Sequence, residues 1–160
     1  PKPAQPFDLV VAWMVLEHLH DPVAGLRKLS EWCNPRARLV LSVPNANAIS
    51  FRVFHDRWYD LHLPNHLYHF TPQTLAGVLA AGGWTLEKLC HQRSLSNVLI
   101  SAAYYVEDRG WHKFGSNLRS MAFSGGVWFY LRFPFAWLTA AVGQTGRMTV
   151  WASKADAAIN

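Results

Sequence analysis

The sequence predicts an α/β fold organised around two neighbouring parallel strands, and three observations carry the prediction. Residues 7–14, FDLVVAWM, are apolar apart from Asp8, the composition of a strand covered on both faces. Residues 22–33 then place Val23, Leu26, Leu29 and Trp32 or Cys33 at helical spacing, with Arg27, Lys28 and Glu31 on the other side. Residues 38–43, RLVLSV, return to a strand rich in branched side chains. Strand, helix and strand in such short compass form a βαβ unit with a right-handed crossover.

Each further element has a local reason. Asp21 and Pro22 supply the N-cap and first position of the first helix, and Asn34–Pro35 stops it. Residues 44–70 read as an irregular, aromatic, histidine-rich segment. Thr71–Pro72 opens a second helix that runs to Ala81 with Leu75, Val78 and Leu79 inward, and Gly82–Gly83 ends it. Residues 84–91 alternate as a strand, the apolar stretch 96–106 suits a helix, and 109–124 is expected to be a surface loop. Residues 147–153, RMTVWAS, are the final strand. The segment 125–142, GGVWFYLRFPFAWLTAAV, is near the lower length limit of a membrane span but holds Arg132 and Pro134 in its middle. It is expected to be a helix that is buried or covers a substrate, with a helix lying in a membrane interface as the alternative.

Composition narrows the function. Of 160 residues, 51% are hydrophobic and 16% charged, which excludes a disordered chain and suits one domain with a real core. The net charge of +5 comes from scattered residues without a run of like charge, so no nucleic-acid partner is expected. An anionic lipid or acidic substrate stays open. Cys33 and Cys90 form neither a CxxC pair nor a metal spacing and read as free thiols in a reducing, cytoplasmic compartment. The opening PKPAQP has no hydrophobic segment and no initiator Met, so neither a signal peptide nor a natural start is expected there.

Chemistry concentrates where the first strand ends. In open α/β sheets ligands bind beyond the carboxyl ends of the strands, and Glu17 and His18 stand there. An acid beside an imidazole can orient a ligand, move a proton or hold a metal; the plainer alternative is a cap and a packed ring. His62, His66 and His69 have helical spacing, but Pro64 between them argues for a loop and against a zinc site. His66 is then either an acceptor-side base or a structural loop residue.

The order of these pieces resembles the C-terminal half of a class I S-adenosylmethionine-dependent methyltransferase. The residues that carry the resemblance are Phe7–Asp8, Leu16–Glu17–His18, Asp21–Pro22 and Val43–Pro44–Asn45, then Trp58, Pro64, His66 and Phe70–Thr71, then the Gly82–Gly83–Trp84 turn and the closing GRMTVWASK. Pro35–Arg36–Ala37 replaces the usual Pro-Gly-Gly turn. The likeness is good over 7–92, moderate over 143–154 and poor between.

The resemblance implies a partial Rossmann-like sheet: its last four strands, the final one antiparallel, helices on its faces, and an apolar helical insertion or cap over 93–146 within one partial domain, 1–160. Strand 7–14 would be the fourth of seven. The glycine-rich loop for the cofactor would lie upstream, and the ten glycines here contain no G-x-G. S-adenosylmethionine is the implied cofactor, touched by Trp13, Met14, Val15 and Glu17. Glu17, His18 and His66 are implied near the reacting centre, and Asn45, Arg52, Trp58, His66 and His69 on the side of a small-molecule acceptor. Some relatives bind a divalent metal through an acid at the position of Met14, so no metal is expected. The alternative is a non-catalytic binding module, membrane-associated through 125–142. The strand edge at 7–14 is expected either to pair with a second copy or to be covered by 96–106.

Overall fold

A computed structural model of the protein describes residues 3–155, apart from the side chains of Trp128 and Phe129. Its sheet has the order β1 (Phe7–Trp13), β2 (Cys33–Pro44), β4 (Arg147–Lys154), β3 (Trp84–His91). β1 and β2 are parallel, and β4 runs antiparallel to both β2 and β3. The fold is therefore the expected α/β sheet of four strands with the last one antiparallel.

Helix α1 (Pro22–Glu31) starts where Asp21 Oδ1 accepts the Ala24 N–H at 2.8 Å. Helix α3 (Pro72–Ala81) starts at a Thr71/Thr74 capping box. Caps of this kind stabilise a helix by about 1 kcal/mol each. Leu26 from α1 and Leu75 and Leu79 from α3 meet Leu39, Leu41, Val43, Met148, Val150 and Ala152 in one buried core. Trp84 closes it, with its indole N–H donating to the Leu26 carbonyl at 3.0 Å. On the other face the Gln92 amide donates to the buried hydroxyls of Ser42 and Thr149.

Three expectations need correction. Residues 109–124 are not a loop: helix α5 (His112–Phe123) lies there, packed on helix α4 (Ser96–Glu107). Gly115 sits where a Cβ would run into the Glu107 side chain, so it permits the close approach of the two helices. β1 is covered on one face only: Leu9, Val11 and Trp13 are exposed. Finally, 96–106 does not cover the β1 edge, because α4 is occupied by α5, helix α2 (Ile49–Phe54) and the turn Tyr59–Leu61. Helix α6 (Val127–Ala141) joins α5 to the final loop, and among the described residues no helix is long and apolar enough to cross a membrane.

Candidate active site

The carboxyl ends of β1 and β2 lie side by side, and the chain leaving β1 builds the site. Met14 takes φ +53° while its N–H still donates to the Ser42 carbonyl of β2 at 2.9 Å. A non-glycine residue in that region is strained, and such strain collects at functional sites. The turn drives Leu16 into the core as an anchor and rolls Glu17 inward behind it. The Glu17 carbonyl then accepts the Leu67 N–H at 2.8 Å and the Tyr68 N–H at 3.3 Å, which ties the histidine-rich loop over the end of β1.

That loop delivers His66. Its Nδ1–H donates to the Asp60 carbonyl at 2.7 Å, and His18 Nδ1–H donates to the Asn65 carbonyl at 2.9 Å. Because a carbonyl only accepts, Nδ1 carries a proton in each ring, and a neutral ring then keeps its lone pair on Nε2. The two rings sit 4.8 Å apart, centroid to centroid, nearly perpendicular, and His62 lies 4.9 Å from His66. One ligand atom each from Glu17, His18 and His66 falls within 4.8 Å of the others. By donor type these three could hold a divalent cation.

The electrostatics are unusual. Glu17 is fully buried, and neither carboxylate oxygen has a hydrogen-bond partner. Burial pushes its pKa up, against the opposing pull of its own backbone N–H and the charges of His18 and Arg147. Burial pulls His66 down, partly offset by the bond to Asp60 and reinforced by the neighbouring imidazoles, so it is a neutral base near pH 7. Asp60 is pushed up to about 6 by burial, opposed by Arg147 at 3.6 Å and by the Asn97 amide of α4. Met14, His18, Tyr59, Asp60, His62, His66 and Arg147 line a cleft of about 210 Å³ over this cluster.

The structure thus brings together Met14, Glu17, His18 and His66. Trp13 and Val15 are exposed beside them at the end of β1. Other sequence candidates sit elsewhere. Asn45 is fully buried and braces backbone, donating to the Gly143 and Thr145 carbonyls and accepting from Asn47 N–H. Trp58 is buried against Phe51 and His69, and His69 Nε2–H donates to the Leu61 carbonyl at 3.0 Å. Arg52 is exposed and donates to the Asn47 carbonyl and side chain at 3.2 Å. Tyr59, Asp60, Arg147 and Asn97 escaped the sequence reading. Arg147 is 87 residues from Asp60 in sequence, and only the antiparallel docking of β4 between β2 and β3 brings them together.

Solved structures share the fold. The [4+2]-cyclase SpnF aligns over 98% of this chain and 53% of its own, at 18% identity and a TM-score of 0.52. The mycolic acid cyclopropane synthase CmaA1, solved with SAH and CTAB, aligns over 94% and 56%, at 14% and 0.52. The StiE O-MT domain aligns over 97% and 46%, at 11% and 0.50. The chain spans about half the length of these proteins. No curated protein sequence matches it. The family model of the methyltransferase domain matches residues 1–89, more than half of the chain and the part that carries Met14, Glu17, His18 and His66: the chain belongs to the methyltransferase domain family.

Proposed function

We propose that the protein carrying this chain transfers a methyl group from S-adenosylmethionine to an oxygen, nitrogen or carbon atom of a small molecule bound in the His66 cleft. The observation that supports this most is the meeting of Glu17, His18 and His66 at the carboxyl ends of β1 and β2, within a methyltransferase-family chain. The cofactor supplies a methyl group already activated on a sulfonium, so alignment does most of the work. Trp13, Met14 and Val15, open or half-open beside the cluster, are the residues of this chain assigned to the cofactor.

A base is needed where the acceptor is a hydroxyl or amine. His66 suits the role: Asp60 fixes its tautomer, burial keeps it neutral, and Nε2 is free to take the proton. The Glu17 carboxylate stabilises the imidazolium that results. Arg147 and Tyr59 orient the acceptor at the cleft wall. Residues 93–146 form the cap between the last two strands, peripheral membrane contact runs through 125–142, the β1 edge pairs with a second copy, and the compartment is the cytoplasm. The cluster handles protons without a metal.

The test is transfer of labelled methyl from S-adenosylmethionine into small-molecule extract fractions, before and after exhaustive EDTA treatment. Labelling that survives EDTA and is lost in His66→Ala supports the reading. Loss on EDTA with recovery on a divalent cation replaces the proton role by a metal. No labelling, together with unchanged binding of the extract compounds, favours the alternative, a non-catalytic module.

A further inference from the structure

Helix α6 is built inside out. At 100° per residue Arg132, Ala136, Thr139 and Ala140 fall on one side. That side faces the protein: Ala136 is buried and the other three are half-buried. The Arg132 guanidinium donates to the Met121 carbonyl and, at 2.8 Å, to the Ser124 carbonyl, and the Thr139 hydroxyl turns back onto the Phe135 carbonyl at 2.9 Å. The outward side carries Val127, Leu131, Phe135 and Leu138, flanked by Tyr130 and Trp137, all of them exposed. Val127 and Tyr130 leave more than 70% of their surface open. A helix facing water has the reverse arrangement, and contiguous apolar surface of this kind marks a contact with protein or lipid.

Charge decides between the two. Helix α6 itself holds no Asp or Glu, its Arg132 is turned inward, and the whole chain carries a net charge of +5. The exposed Arg93 lines clefts at the flank of α6 together with Phe133 and Trp137. Aromatic and aliphatic residues on an acid-free helix, an exposed arginine at its flank and a net positive chain match an anionic bilayer surface, into which such a helix sinks in the plane of the headgroups.

We infer that the outer face of α6 docks on an anionic phospholipid leaflet, Val127, Leu131, Phe135 and Leu138 entering the acyl boundary while Arg93 meets headgroup phosphate. This deepens the peripheral-contact reading above and is independent of methyl transfer, since binding is measured without turnover.

Cosedimentation of the 160-residue chain with vesicles of pure phosphatidylcholine, and of phosphatidylcholine with phosphatidylglycerol, tests it. Binding to the anionic vesicles is expected at least tenfold tighter than to neutral ones, falling steeply as salt rises across the range that shortens the Debye length. Val127→Ser/Leu131→Ser/Leu138→Ser lies on exposed positions and is expected to keep the wild-type circular dichroism spectrum while losing at least tenfold in binding. Arg93→Gln is expected to lose about fivefold, the worth of one basic residue at such a surface. Equal binding to both vesicle types, no binding, or unchanged binding by the triple variant overturns the inference. So does self-association that the triple variant abolishes and vesicles do not compete away, which makes the face a contact between copies.

Discussion

Glu17 should be a residue whose removal makes the protein more stable and less active. Its carboxylate is fully buried, both oxygens lack partners, and burial raises its pKa. An unsatisfied buried polar group costs roughly 1–3 kcal/mol, more when charged, and replacement by an apolar group of similar shape removes that cost. Glu17→Met is therefore expected to gain about 1–3 kcal/mol at pH 8, which for a chain of this size is roughly 2–10 °C in Tm. The sign with pH follows from the raised pKa. Above the folded pKa wild type carries the buried charge and its penalty; as pH falls through that value toward 4.5 the carboxyl is protonated and the penalty fades. The advantage of the variant should shrink accordingly. Urea denaturation with chelator present, at pH 8 and near pH 4.5, measures both. A variant less stable than wild type at pH 8, or an advantage that does not shrink at low pH, refutes the reasoning.

Other outcomes follow from the same structure. Asp60 holds its proton up to about pH 6 against an ordinary 3.8, so wild type should lose ~3 kcal/mol of stability as pH rises from about 4 to 6, and Asp60→Asn should flatten that slope in urea titrations. A Cβ at Gly82 would lie 2.5 Å from Leu26 Cβ, so Gly82→Ala should cost about 1–3 kcal/mol, whereas Gly77→Ala, with nothing within 4 Å and a place inside α3, should gain roughly 0.5–1 kcal/mol by thermal unfolding. If the open β1 edge pairs two copies, Val11→Lys should weaken the dimer at least tenfold in analytical ultracentrifugation; a monomeric wild type contradicts the pairing.

What the sequence made legible were features with a local cause. Asp21–Pro22, Thr71–Pro72 and Gly82–Gly83 announced helix ends because caps and breakers act within a few residues. The strands stood out by continuous branched composition, and the Glu17–His18 pair by its place at a strand end. The failures share a cause as well. Helix α5 was hidden because what fixes it is its packing on α4, where Gly115 permits the close approach, a tertiary contact with no local mark. Asn45 reads as a cleft residue by position, yet its amide is used up by carbonyls near residue 145 that no local pattern reveals. Asp60 and Arg147 join the cleft only through strand order, a tertiary fact. His66 fell between: its type was suggestive, but its tautomer depends on the Asp60 carbonyl.

The central claim is that His66, neutral and held by Asp60, takes the acceptor's proton during methyl transfer. The pH–rate profile of labelled methyl transfer, wild type against His66→Gln, tests it most directly. The wild-type rate is expected to fall on acidification below neutral as His66 gains a proton, and the variant to be slower by about 10²–10⁴-fold in kcat with that acid limb gone. An unchanged kcat in the variant, or the same acid limb at the same pH, contradicts it.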